Sequence, residues 1–90
     1  MSQLERPSRQ EAVLVVEDDP TLRLGLTKTL RSAGFRVETA KTGSEGAERA
    51  KNETFDLVLL DVMMPGKNGY EVCEELREHD ADLPLSLIHI

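Results

Sequence analysis

Two acidic positions in this 90-residue chain could act together in chemistry. One apolar run of the sequence ends at Glu17 and Asp18, and a later apolar run ends at Asp61. If the two runs are neighbouring parallel strands, the three carboxylates converge at one edge of the sheet, where open parallel sheets bind their ligands. Carboxylates held so close repel one another, and a bound hard cation such as Mg²⁺ relieves that repulsion.

A carboxylate beside Mg²⁺ can also act as a nucleophile. Attack by Asp61 on a phosphoryl group would give an aspartyl phosphate, while the cation neutralises charge on the transferring oxygens. The alternative is that acids at the ends of strands are only solvated loop residues, and for either acidic position alone both interpretations stay open. Taken together, the acids suit phosphoryl transfer onto Asp61.

The strands that would position these acids follow from the apolar pattern. The runs 12–16 and 57–60 are short, continuous and apolar, which is typical of strands buried on both faces of a parallel sheet. Phe35, Val37 and Thr39 alternate with charged residues and predict a second strand nearer the edge.

Three amphipathic helices are predicted between the strands. Asp19 is expected to cap the first helix, which ends before Gly34, and Ser44 is expected to cap the second. Asn68 and Glu71 have the spacing of a capping box for the third helix. The apolar and small residues expected on the inner face of the first helix are Leu22, Gly25, Leu26, Thr29, Leu30 and Ala33.

The third helix should turn Val72, Cys73 and Leu76 inward, so that Cys73 is a core residue. His79 at its end is expected to be solvated. The acidic series of this helix is expected to form its exposed face: Glu71, Glu74, Glu75 and Glu78.

The predicted order of elements is β-α-β-α-β-α-β, with connections long enough for right-handed crossovers. This order predicts an α/β fold, a doubly wound parallel sheet with helices on both faces.

Charge and composition limit the functions that the chain could have. Seventeen acidic residues against eleven basic ones give a net charge of −6, which makes nucleic acid and anionic membrane poor partners. No apolar run approaches the roughly 20 residues needed to span a bilayer. Residues 1–11 have the composition of a disordered leader rather than of a signal peptide, and the single cysteine excludes an internal disulfide. We therefore expect a cytoplasmic protein.

Residues 12–84 resemble the receiver domains of bacterial two-component response regulators. The resemblance rests on E-D-D-P after the first strand and on L-L-D-V-M-M-P-G-K-N-G around Asp61, which lies 43 positions after Asp18 (61 − 18). It implies a flavodoxin-like receiver fold with Asp61 as the phosphoacceptor. It also implies a Mg²⁺ site with Asp18 as a direct ligand, Glu17 acting through water, and the backbone carbonyl of Met63.

The same resemblance implies partners. A sensor histidine kinase would donate the phosphoryl group, and a receiver dimer is possible in the full-length protein. Receivers that contain P-G-K-N-G-Y-E-V resemble those of transcriptional regulators with a winged-helix DNA-binding domain, which would lie beyond residue 90. The chain itself is then a signalling module rather than an enzyme, and it makes no contact with nucleic acid or membrane.

The chain departs from the family pattern at its C-terminal end. Receivers have five strands and five helices, whereas this sequence reaches only the fourth strand, so we expect a partial receiver over residues 12–84. The Thr or Ser that ends the fourth strand in the family falls on His89 here, and the family's later lysine has no counterpart.

Residues 85–90 also look foreign to the family. Their sequence, L-S-L-I-H-I, is the peptide encoded by CTG TCT CTT ATA CAC ATC, which matches the transposon end used as an adapter in sequencing libraries. We expect a non-native tail that occupies the fourth-strand position. The alternative is a natural fourth strand, because the segment is apolar enough to form one.

A Mg²⁺-dependent phosphatase or phosphotransferase of the haloacid-dehalogenase type is the rival function. Such enzymes also use a nucleophilic aspartate after a buried strand, but they resemble a D-x-D pattern after the first strand. Here that strand ends in Glu17-Asp18-Asp19, and Asp61 is followed by Val62-Met63.

Overall fold

The structure, a computed structural model, describes residues 10–88. These residues form a four-stranded parallel sheet in the order β2-β1-β3-β4, which confirms the predicted α/β fold. The elements are β1 (Ala12–Val16), α1 (Pro20–Ser32), β2 (Arg36–Ala40), α2 (Gly43–Asn52), β3 (Leu57–Asp61), α3 (Gly69–His79) and β4 (Leu85–Ile88).

Helices cover both faces of the sheet. Helices α2 and α3 pack over the larger core cluster, which centres on Leu14, Leu60 and Leu76, all fully buried. Helix α1 packs over the smaller cluster of Val13 and Val15 with residues of β2. The alternation of side chains along β1 supplies both clusters, so this strand is buried on both faces as predicted.

The inner face of α1 differs from the predicted one by a rotation of about one residue. Gly25, Thr29 and Ala33 are exposed, whereas Thr27 is buried. Thr27 can be buried because its hydroxyl donates a hydrogen bond of 2.7 Å to the carbonyl oxygen of Arg23, one turn earlier. The hydroxyl is thereby satisfied, and its methyl group adds to the apolar side of the helix.

The helix caps confirm two predictions and correct a third. Asp19 caps α1 by accepting hydrogen bonds from the backbone N–H groups of the next turn, and Asn68 forms the predicted capping box on α3. Helix α2 is capped by Thr42 and not by Ser44, because the Thr42 hydroxyl accepts from the amide of Glu45 at 3.0 Å. Either hydroxyl could act as a cap, and the extended backbone at Thr42 places the helix start two residues earlier than a Ser44 cap would.

The face of the sheet behind α1 is covered only in part. Helix α1 packs on β1 and β2, and on β3 the side chains of Leu57 and Leu59 stay half-buried. Strand β4 is an edge strand, and its Leu87 is 39% exposed on the opposite face. The last two strands therefore bury less apolar surface than β1 does.

Both ends of the chain extend beyond the described residues. Residues 1–9 of the predicted leader and residues 89–90 of the predicted tail, including His89, lie outside the described residues. Residues 85–88 pair with β3 in the predicted fourth-strand position. Any apolar segment could pair in this way, so a non-native origin for residues 85–90 stays a prediction. Within the described range, no helix is long and apolar enough to cross a bilayer.

Candidate functional site

The pairing of β1 with β3 brings the predicted site residues together. Val16 lies opposite Leu60 in this parallel pair, so the acids that follow the two strands share one edge of the sheet. Glu17, Asp18 and Asp61 each offer a carboxylate oxygen, and these oxygens all lie within 4.8 Å of one another. Three acids, two of them distant in sequence from the third, thus form a single cluster.

Glu17 lies at the bottom of this cluster. Glu17 is 1% exposed and Asp61 is 5% exposed, whereas Asp18 is more exposed than both. Atom Oε2 of Glu17 accepts a hydrogen bond of 3.1 Å from the amide of Asp19, while Oε1 is buried without a hydrogen-bond partner among the described residues. Burial, together with the neighbouring Asp61 carboxylate, raises the pKa of Glu17 to about 7.

Arg23 holds the backbone that presents Glu17 and Asp18. Its Nη1 donates to the carbonyl oxygen of Glu17 at 2.9 Å and to that of Asp18 at 3.3 Å. Sequence reasoning missed this residue, although a signal existed. A cation near the start of a helix opposes the helix dipole, so its presence in α1 indicates a role outside the helix.

Contacts from the loop that follows β3 and from the start of α3 position Asp61. Its Oδ1 accepts a hydrogen bond of 3.0 Å from the amide of Met63. A Cβ at Gly69 would lie 2.4 Å from the carbonyl oxygen of Asp61, so only glycine lets α3 begin this close to the acid. The side chain of Met63 is 65% exposed and takes no part in the cluster. Metal binding by the Met63 backbone carbonyl stays a prediction.

The raised pKa of Glu17 predicts a pH-dependent stability in the absence of Mg²⁺. The folded chain holds the Glu17 proton more tightly than the unfolded chain, whose glutamate has a pKa near 4.5. The stabilisation is therefore complete below about pH 4.5 and is lost as the pH rises through about 7. For the receiver within the full-length gene product, we expect the free energy of unfolding to fall by about 1–3 kcal/mol over this range, as measured by urea unfolding in the presence of a chelator.

Glu17→Gln is the control for this prediction. The amide keeps the size of the side chain and an acceptor for the Asp19 N–H, but it does not titrate. The fall in stability between pH 4.5 and 7 should be smaller in this variant by the whole Glu17 contribution. If the stability of the wild type and of the variant depends on pH in the same way, the assignment of this dependence to Glu17 is contradicted.

Comparison with known proteins identifies the family. Residues 13–89 match the family described as the response regulator receiver domain. The transcriptional activator protein PfeR of Pseudomonas aeruginosa is 51% identical over 69 residues, 77% of this chain and 23% of PfeR. The transcriptional regulatory protein AfsQ1 of Streptomyces coelicolor is 40% identical over 77 residues, 86% of this chain and 34% of AfsQ1. The chain thus spans about a quarter to a third of the length of these relatives.

A solved structure shows the same fold. The response regulator protein TrrA from Thermotoga maritima, crystallised in complex with Mg²⁺–BeF, superposes with a TM-score of 0.87 at 35% sequence identity. The match covers 89% of this chain and 70% of the TrrA chain. The sheet order, the clustered acids and these matches agree with one another, and the chain belongs to the response regulator receiver domain family.

Proposed function

We propose that this domain accepts a phosphoryl group on Asp61 from a sensor histidine kinase, in a reaction that requires Mg²⁺. The observation that carries the proposal is the convergence of buried Asp61 with Glu17 and Asp18 at the end of β1 and β3. This is the arrangement in which a carboxylate nucleophile can share a cation with the group that it attacks.

The donor set fits Mg²⁺. The cluster offers only carboxylate oxygens, which hard cations prefer, and the buried Oε1 of Glu17 has no hydrogen-bond partner within residues 10–88. Asp18, Asp61 and the backbone carbonyl of Met63 would hold the cation directly, with Glu17 acting through water. When bound, Mg²⁺ supplies positive charge that offsets the negative charge of the acids and of the incoming phosphoryl oxygens.

The carboxylate of Asp61 performs the chemical step. The Met63 amide holds Oδ1 and so orients the carboxylate, which leaves Oδ2 as the attacking atom. A bond forms between Oδ2 and phosphorus as the bond from phosphorus to the kinase histidine nitrogen breaks, and the imidazole leaves. The contacts of Arg23 to the backbone of Glu17 and Asp18 keep these acids in place during the transfer.

The relatives suggest what the phosphorylated domain controls. PfeR and AfsQ1 are regulators of transcription and are three to four times longer than the matched region. We propose that the receiver signals to an attached DNA-binding domain, with a receiver dimer as one route, and that the protein works in the cytoplasm. The family is one of signalling modules, which favours this function over the haloacid-dehalogenase alternative.

Labelling by a small acyl phosphate tests the proposal. With Mg²⁺ present, the full-length product of the gene that encodes this chain should take up one phosphoryl group, detected by intact mass and released by hydroxylamine. A chelator should prevent the reaction, and Asp18→Asn should slow it at low Mg²⁺ because a charged ligand becomes neutral. Multiple turnover of a generic phosphoester without a stable labelled form would instead support the enzyme alternative.

A further inference from the structure

Glu75 on α3 joins three elements of the structure through two lysines. Its Oε2 lies 2.5 Å from Nζ of Lys51 on α2, and its Oε1 accepts a hydrogen bond from Nζ of Lys67 in the loop between β3 and α3. The two lysines lower the pKa of the Glu75 carboxyl to about 2. Glu75 was predicted to belong to a solvated acidic face, and this prediction is wrong because the side chain is half-buried between two cations.

Close backbone packing confines the same loop, residues 62–68, near both of its ends. A Cβ at Gly43, the first residue of α2, would lie 2.3 Å from the carbonyl oxygen of Lys67. At the other end, Gly69 packs against the carbonyl of Asp61. Two glycines therefore let α2 and α3 reach the backbone on either side of the loop. Lys67 makes both the backbone contact with Gly43 and the ion pair with Glu75.

We propose that the Lys67–Glu75 ion pair positions the loop of residues 62–68 over Asp61 for Mg²⁺ binding, with Lys67 as a positioning residue. The inference rests on the proposed function, since it concerns the same site. The loop carries the Met63 amide that orients Asp61 at 3.0 Å and the Met63 carbonyl assigned to the cation. When the charge on Lys67 is lost, its side chain no longer holds the loop against Glu75 in the body of α3, and the Met63 amide and carbonyl are held less firmly.

Lys51 provides a matched control for Lys67. Both lysines bind Glu75, and their side chains are similarly exposed, at 31% for Lys51 and 35% for Lys67. Lys51 belongs to α2, however, and lies outside the loop. Lys51→Met and Lys67→Met therefore remove the same kind of ion pair, but only Lys67→Met removes an ion pair made by the loop of residues 62–68.

The experiment measures the Mg²⁺ concentration that gives half of the maximal thermal stabilisation. It uses the full-length gene product and no phosphoryl donor. Lys67→Met should raise this midpoint by about 3-fold or more, which corresponds to the coupling typical of a half-exposed ion pair. Lys51→Met should leave the midpoint within about 2-fold of wild type while lowering the melting temperature to a similar extent. Glu75→Gln, which removes both pairs, should raise the midpoint as Lys67→Met does.

Three results would overturn the inference. The midpoint could be the same in wild type and Lys67→Met, or it could shift equally in both lysine variants, which would show that the pairs only stabilise the fold. A wild-type protein without any Mg²⁺ response would also overturn it. Acyl-phosphate labelling of the same preparations tests the proposed function separately. A protein whose Mg²⁺ midpoint depends on Lys67 but which takes up no phosphoryl group would support the positioning role and contradict the phosphoacceptor function.

Discussion

In the full-length gene product, Asp61→Asn is expected to abolish labelling by an acyl phosphate while the domain stays folded. The amide oxygen of Asn can still accept the hydrogen bond from the Met63 N–H, so the loop keeps its contact. The amide is a far weaker nucleophile than a carboxylate, and the variant also loses a negative charge that a cation would bind. Intact mass measured after incubation with the donor and Mg²⁺ should show no phosphorylated species.

The same variant should become more stable at neutral pH in the absence of Mg²⁺. The Asp61 carboxylate is one of the groups that raise the pKa of buried Glu17, so its removal lowers the cost of ionising Glu17. Stability and labelling should therefore change in opposite directions, which separates loss of chemistry from loss of fold.

Asp56→Asn is the matched control. Asp56 lies directly before β3 and accepts a hydrogen bond of 2.6 Å from the amide of Ala12, at the opposite end of the strand from Asp61. This variant should label as wild type does. Stoichiometric labelling of Asp61→Asn, on Asp18 or elsewhere, would show that the nucleophile is wrongly assigned.

The 90-residue chain expressed by itself is expected to lack a cooperative, monomeric unfolding transition. On β3, Leu57 and Leu59 are half-buried, and on the edge strand β4 the side chain of Leu87 is exposed. Apolar surface beside an unpaired strand edge favours association. An intact domain has a net stability of only about 5–15 kcal/mol, so incomplete burial along two of four strands removes much of the margin.

Hydrogen exchange measures the protection of the amides, and sedimentation measures the association of the 90-residue chain. We expect few strongly protected amides and association that increases with concentration, whereas the receiver within the full-length gene product should unfold cooperatively. Leu87→Lys should reduce association by placing a charge on the exposed edge. A monomeric 90-residue chain with native-like protection in β3 and β4 would contradict the argument.

The parts of the fold that depend on local pattern could be predicted from the sequence. The continuous apolar run before Glu17 determines β1, and the Asn68–Glu71 spacing determines the start of α3. The clustering of Asp18 with Asp61 was predictable only on the assumption that β1 and β3 are neighbours. The strand order confirms that assumption.

Other features could not be predicted from the apolar pattern alone. The inner face of α1 includes the polar residue Thr27, because its hydroxyl is satisfied within the same helix by the carbonyl oxygen of Arg23. The burial of Glu75 follows from two lysines, 24 positions before it (75 − 51) and 8 positions before it (75 − 67). A charged residue on an amphipathic helix is usually solvated, and only the approach of α2 to α3 brings these cations within reach.

The parallel register of β1 and β3 has a consequence for evolution. The register, with Val16 opposite Leu60, and not the number of residues between the strands, brings the acids together. Insertions in the exposed connection after α2, at residues 53–54, could therefore accumulate without separating Asp18 from Asp61. A single deletion inside β3 would instead turn Asp61 to the other face of the sheet, because side chains alternate along a strand. Among relatives of this chain, changes in sequence length should thus be confined to exposed connections between helices and strands.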